Sequence, residues 1–206
     1  MEQLHGMASE RSASHLAPGF LVAAPGLRDP NFAGSLVLMT GHRKAGAMGF
    51  IVNRPAPVSM AEMLTSVDVK LGGLARDSAH GQQPVLVGGP VGQEQVWVLY
   101  RRGGATDDDD AIRVGRNLAV GSSRPMLESI LRGAGADAGP VQLFIGYAGW
   151  APMQLENEIA QGSWVPLSFD EELVTSVPFA DRWSAAVRRL GLDPAGFMVG
   201  GGGAMA

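Results

Sequence analysis

Apolar and polar positions fall in short blocks along the chain, and the clearest block covers residues 141–145, an almost wholly apolar run of the kind a strand covered on both faces requires. Gly146 and Gly149 follow it. Pro152 then suits a first helical turn, where a missing N–H costs nothing, and Leu155 and Ile159 lie four apart on one helical face. The stretch therefore predicts a strand, a glycine turn over 146–150 and an amphipathic helix. Further apolar runs predict strands over 20–24, 35–40, 47–52, 84–87, 96–100, 112–114, 118–120 and 164–167. Residues 41–46, polar and bounded by glycine, predict a hairpin loop between two of these strands. Asn53-Arg54-Pro55 ends the second of them, because proline cannot extend the ladder.

Helical spacing marks the remaining elements. Ser59 and Glu62 form a capping-box pattern ahead of Met60, Met63, Leu64 and Val67. Residues 72–83 are glycine-interrupted and polar and predict a loop. Ser123 caps a helix carrying Met126, Leu127, Ile130 and Leu131, which Gly133 stops. Ser168 and Glu171 predict a second capping box for a helix over 171–176. Trp183, Val187 and Leu190 share a last helical stripe closed by Gly191, which makes Trp183 an expected core residue. Strands come as neighbouring short runs with helices between and after them, so the class is α+β rather than a regular βαβ repeat.

At 206 residues the chain is long enough for one sizeable domain. That domain is expected over 17–199, after a disordered leader over 1–16 that lacks any apolar face, and before a glycine-rich tail over 200–206. Glycine, at 29 of 206 residues, is about twice its usual share and implies close backbone contacts. A net charge of −4 supplies no pull toward phosphate backbones and argues against nucleic acid as a partner. The lack of cysteine removes disulfides, thiolate nucleophiles and cysteine-based zinc sites. With no run of about 18 apolar residues, no membrane span is expected, and a cytoplasmic setting fits.

Candidate chemistry is sparse. Of His5, His15, His42 and His80, no two have the i, i+4 spacing of a helix-borne metal pair, so neither a metal nor a cofactor is predicted. His42, beside Arg43 and Lys44 at the expected hairpin tip, reads first as a solvated loop histidine and second as a catalytic or ligand-binding one. Residues 41–46 have phosphate-loop spacing, but Ala47 and Met48 stand where Lys and Ser or Thr are needed. Gly200 to Gly203 do not open a helix, as a dinucleotide fingerprint must, and Gly121-Ser122-Ser123 reads as a helix cap, not a nucleophile elbow. Asp107 to Asp110 lack the alternating ligands of a calcium loop and read as a solvated acidic loop. The turns around Gly88-Gly89-Pro90 and over 146–150 serve either close backbone packing or a binding crevice.

Several separated stretches carry a family likeness. They are Phe20-Leu21-Val22-Ala23 with Leu27-Arg28-Asp29-Pro30-Asn31-Phe32 and Ser35; residues 46–55; Val87-Gly88-Gly89-Pro90-Val91; Ile145-Gly146-Tyr147-Ala148-Gly149-Trp150 with Gln154-Leu155-Glu156; and Asp181-Arg182-Trp183. With them the chain resembles the YqgE/AlgH family of bacterial proteins. The resemblance implies a single compact domain in which a mostly antiparallel, partly barrel-like sheet is surrounded by helices. It implies no assigned reaction, although one branch is named for transcriptional regulation of alginate production. Two positions depart from the family pattern: Gly41 precedes His42 where Glu is usual, which weakens any Glu–His pair, and Met153 precedes Gln154 where Gly is usual.

Three functions follow in order of preference. The first is a non-enzymatic binding or regulatory protein that recognises a small molecule or a protein partner through His42, Asn53, Arg54, Gly146, Gly149 and Trp150. The second is an enzyme whose site is assembled from distant residues such as His42, Asn53, Arg54 and Asp181. The third is a DNA-binding regulator, for which no basic recognition helix is visible. Within the binding reading, Asn53 and Arg54 are expected to lie near the 146–150 turn, because polar residues at strand ends line crevices.

Overall fold

The computed structural model describes residues 16–103, 110–133 and 141–200. The expected leader up to residue 15, aspartates 107 to 109 of the acidic loop and the tail beyond residue 200 lie outside the described residues. The chain forms two compact units, one from residues up to Asn53 together with those from Ala148 onward, the other from Arg54–Tyr147.

In the first unit, β1 (Gly19–Ala23), β2 (Leu36–Arg43) and β3 (Gly46–Ile51) pair antiparallel in succession. β10 (Trp164–Ser168) joins the free side of β1, and the last residues of β9 (Gln142–Trp150) join β3. Leu21, Val37 and Ile51 stand in register across three strands. Because strand side chains alternate between faces, they share one face, where they build a core with Met39, Ala148, Trp150, Leu155 and Trp164. Phe20, Leu38 and Phe50 occupy the opposite face and are equally buried. The unit also holds α4 (Gln154–Ala160), α5 (Glu172–Thr175), α6 (Arg182–Arg189) and α7 (Pro194–Gly200), with α6 packed on β1 and β2.

Arg182 ties this unit together. Its side chain is 3% exposed, yet all its nitrogens find backbone carbonyls: Nε donates to Val177 at 3.0 Å, and the terminal nitrogens donate to Val52 at 2.6 Å and Val174 at 2.9 Å. The guanidinium also lies 4.5 Å from the Phe179 ring centroid. Burial lowers its pKa to about 10, which leaves it cationic at neutral pH. Trp183, expected in the core, is instead half-buried; its indole donates to the Ala23 carbonyl at 3.1 Å and its ring stacks on Phe197. The buried stripe of α6 runs through Arg182, Ala186 and Val187.

The second unit contains β4 (Pro55–Ser59), α1 (Met60–Val67), α2 (Val69–Asp77), β5 (Pro84–Val87), β6 (Val91–Arg101), β7 (Ile112–Val114), β8 (Leu118–Gly121), α3 (Arg124–Leu131) and most of β9. Antiparallel pairing runs β9–β6–β8–β7, β4 pairs with β5, and β5 pairs with β9 in parallel. The core is formed by Met60, Leu64, Leu71, Val98, Tyr100, Leu127 and their neighbours. The strand pairing is thus mostly antiparallel and open, and the class is α+β.

The capping boxes fare differently. Ser59 accepts from the Glu62 N–H, and Glu62 accepts from the Ser59 N–H and hydroxyl, so the predicted box is present. At α5 the N-cap Glu171 makes no side-chain cap bond; Asp170, two residues after the predicted cap Ser168, accepts from the Glu172 N–H.

Residues 72–83 are not a loop from end to end: α2 runs through Gly72 and Gly73. Asp68 caps it, accepting from the N–H groups of Lys70 and Leu71. A side chain at Gly72 would collide with Thr65 of α1, so this glycine, read as a breaker, serves the close approach of two helices. The stretch 146–150 is likewise no turn. β9 continues through it, with Gly146 absorbing the irregularity at φ +66.

Candidate functional site

The β2–β3 hairpin is tighter than its sequence implies. Its ladder extends to Arg43↔Gly46, leaving only Lys44 and Ala45 as the turn, so His42 is a strand residue and not a loop residue. A register shift between Met39 and Gly41 makes this possible, and the Thr40 hydroxyl donates across it to the Met48 carbonyl at 3.3 Å. Register then places His42 opposite Ala47, and Ala47 opposite Trp150, so the three side chains share one face.

α4, packed on β3, brings two carboxylates to that face. Glu156 Oε1 lies 3.0 Å from His42 Nε2, with the histidine side chain 6% exposed and the glutamate 28%. An ionised carboxylate can only accept, so Nε2 carries the proton, and in the neutral ring Nδ1 is left as an acceptor. Nδ1 is buried without a hydrogen-bond partner. Glu158 accepts from two indoles, Trp150 at 2.9 Å and Trp164 at 2.8 Å, while its other oxygen accepts from the Gln154 amide at 2.8 Å. Phe32 stacks on Trp150 and meets Trp164 edge-on. Trp150 is therefore a fixed wall of this region rather than a free stacking platform.

Beside this cluster, Gly41, Arg43, Ala45, Gly46, Ala47, Met48 and Trp150 line an open depression of about 260 Å³. Nothing stands within 4 Å of where a side chain at Gly41 would begin, so bare backbone faces the depression there. At Gly46 a side chain would collide with the Trp150 carbonyl. Arg43, exposed and next to the exposed Lys44, supplies positive charge at the rim.

The other expected site residues go elsewhere. Asn53 is engaged by backbone: its Oδ1 accepts from the Leu36 N–H at 2.8 Å and its Nδ2 donates to the Gly34 carbonyl at 2.9 Å. This holds it at the Leu36 end of the ladder, six strand residues or about 20 Å from His42 and from the Trp150 register. Asn53 therefore does not reach Trp150. Asp181 is exposed at the N-terminus of α6, without a side-chain cap bond. In the other unit, the Arg54 carbonyl accepts from Val87, whose strand neighbours Ile145, and this sets the Arg54 backbone two strands from Gly146. Gly146 itself is packed so closely on the Gly89 and Val91 carbonyls that a Cβ would lie 2.7 and 2.8 Å from them. Gly149 pairs with Met48, next to the depression.

Glu156 is the functional candidate that sequence reasoning missed. The absence of Glu beside His42 argued against a Glu–His pair, yet a glutamate 114 positions later supplies one. No local spacing marks such a pair, since it depends on α4 folding back over the hairpin. Among the described residues, no group of three or more His, Asp or Glu side chains is placed to hold a metal, and no helix is long and apolar enough to cross a membrane.

Comparison with known proteins gives a consistent picture. A family model described as AlgH-like matches residues 20–195. A UPF0301 protein of Anaeromyxobacter dehalogenans is 54% identical over 191 residues, covering 93% of this chain and 96% of the relative. One from Ralstonia nicotianae is 36% identical over 191 residues, covering 92% and 95%. Among solved structures, the AlgH protein from Pseudomonas aeruginosa matches with a TM-score of 0.70 and 31% identity over 93% of this chain and 94% of that one. A Corynebacterium diphtheriae protein matches at 0.65 and 24% identity over 88% and 89%, a likeness of fold alone.

Proposed function

Since the chain belongs to the AlgH-like family, whose members carry no assigned reaction, we propose that it is a non-enzymatic binding protein and that the depression at the β2–β3 hairpin takes a small anionic molecule. The observation that carries this reading is the combination of bare backbone at Gly41 and a cationic rim at Arg43 around one concavity, with Trp150 also on its lining. Backbone without side chains permits close approach, and a guanidinium presents a planar fork that matches carboxylate and phosphate oxygens. The polar groups beside it are engaged in holding structure: Trp150 through Glu158 and His42 through Glu156. A regulatory role would follow if the anion were a metabolite whose level the protein reports.

The test is a titration of the isotope-labelled chain with inorganic phosphate, a nucleoside monophosphate and a dicarboxylate, followed by amide shifts. Saturable shifts at Gly41, Arg43, Ala47 and Met48, abolished in Arg43→Glu, are expected. Shifts absent for every anion, or unaltered by Arg43→Glu, would overturn the proposal.

The His42–Glu156 pair favours a second reading, an enzyme in which Glu156 orients the ring and Nδ1 acts as a base. Under it, His42→Gln abolishes turnover of a substrate found by activity screening while leaving phosphate binding intact; under the binding reading, His42→Gln changes stability alone.

A further inference from the structure

The Arg54–Tyr147 unit has a cavity of its own, about 300 Å³, with α1 and the start of α2 on one side and β6 and α3 on the other. Its floor is apolar: Leu64, Leu71, Val98 and Leu127 belong to the core of the unit, and Val96 packs against it. Exposed Val67, 63% accessible, extends this apolar surface to the mouth. The volume is at the lower end of the ~300–1,000 Å³ range of small-molecule sites, which suits a compact ligand rather than a peptide.

Charge at the rim decides what such a ligand carries. Arg124 is the cation lining the cavity, and its guanidinium is already shared by two carboxylates, Asp68 Oδ2 at 2.8 Å and Glu128 Oε1 at 2.9 Å. Asp68 Oδ1 in turn accepts from the N–H groups of Lys70 and Leu71. Glu94 is a further carboxylate on the lining, in the irregular stretch of β6 just before Val96. An anion entering here would meet Glu94 and an Arg124 whose charge is already offset by Asp68 and Glu128. A purely apolar molecule would strip water from Glu94, Ser122 and Ser123 without replacing it. A cation on a short apolar body meets neither penalty.

We propose that this cavity binds a small organic cation, with its ammonium head against Glu94 and its apolar body on the floor formed by Leu64, Leu71 and Leu127. The site is separate from the hairpin depression and does not depend on the reading given for it. It confers selectivity by sign of charge as well as by size, since the floor accepts any compact apolar body and the rim sorts the heads.

The experiment titrates the full chain with n-butylammonium, phenethylammonium and the matched carboxylates butanoate and 3-phenylpropanoate, again read from amide shifts. Both ammonium probes are expected to give saturable shifts at Leu64, Leu71, Val96 and Leu127, with phenethylammonium the tighter of the two. Glu94→Gln, a change at an exposed side chain, is expected to weaken phenethylammonium binding about tenfold, the effect of losing roughly 1.4 kcal/mol. Glu94→Arg is expected to reverse the preference in favour of the carboxylates. Equal or tighter binding of the carboxylates by the unaltered chain, no saturable shift at these residues with either ammonium, or unchanged affinity in Glu94→Gln would each overturn the proposal. Phosphate shifts at the hairpin serve as an internal comparison, because their presence or absence leaves this result unaffected.

Discussion

His42 Nε2 and Glu156 Oε1 meet at 3.0 Å, joining a strand near the start of the chain to a helix 114 residues later. The histidine side chain is nearly enclosed, so its partner cannot be removed without leaving an N–H facing protein rather than water. Glu156→Ala is expected to cost about 1–3 kcal/mol, the range for an unsatisfied buried polar group. Urea unfolding of Glu156→Ala, His42→Ala and the double variant should show that the second change adds much less than it costs alone. Additive losses would mean that the two residues act independently.

Much of the fold was legible because it rests on local rules. The apolar runs predicted the strand cores, and the Ser59–Glu62 spacing predicted a capping box that is present in full. What escaped depends on contacts far apart in sequence. Gly72 and Gly73 look like helix breakers until Thr65 is placed against Gly72, and only then does the need for a missing side chain show. His42 looks solvated until the register shift after Met39 extends β2 and α4 covers that face. Asn53 has the composition of a site residue, and only the fold shows that Gly34 and Leu36 occupy its amide.

Met153, where the family pattern leads to Gly, has φ +63 and is 62% exposed. A left-handed conformation costs a residue with a Cβ about 1–2 kcal/mol, and little buried area would be lost on shortening this side chain. Met153→Gly is therefore expected to raise the stability by about 0.5–1 kcal/mol after the greater chain entropy of glycine is allowed for. Thermal unfolding of the two proteins checks this, and a lower midpoint for the variant would show that the methionine makes a contact worth more than its strain.

Glu62 has its carboxyl held below the ordinary value of 4.5, first by the Ser59 N–H and next by the Ser59 hydroxyl. The folded value is depressed, so the stabilisation is present above the ordinary value and is lost as pH falls through the depressed one. In Ser59→Ala the hydroxyl is gone and the Glu62 titration, followed by carboxyl carbon shifts, should move upward toward the ordinary value. An unmoved midpoint would mean that the backbone N–H alone sets it.

Arg182 donates to three backbone carbonyls from a position almost without solvent. Arg182→Met keeps most of the volume but strands those carbonyls, and a loss of about 3 kcal/mol or more is expected. Arg182→Lys should recover only part of it, since an ammonium has no planar fork with which to reach Val52, Val174 and Val177 together. Equal stability of the lysine variant and the unaltered chain would show that charge alone, not geometry, is what the site requires.

Asn53 separates structural from binding roles most directly. Its amide closes both ends of one short connection, accepting from Leu36 N–H and donating to Gly34 C=O, where β2 begins. Asn53→Ala leaves both groups without this partner and is expected to cost about 1–3 kcal/mol in urea unfolding. Asn53→Asp keeps an acceptor for Leu36 but sets a carboxylate against the Gly34 carbonyl, so it should recover little of the loss. The hairpin depression lies about 20 Å further along the ladder, so phosphate affinity there is expected to be unchanged in whatever fraction of either variant remains folded. Stability equal to that of the unaltered chain, together with weakened phosphate binding, would return Asn53 to the binding site and remove its role as the clamp at the start of β2.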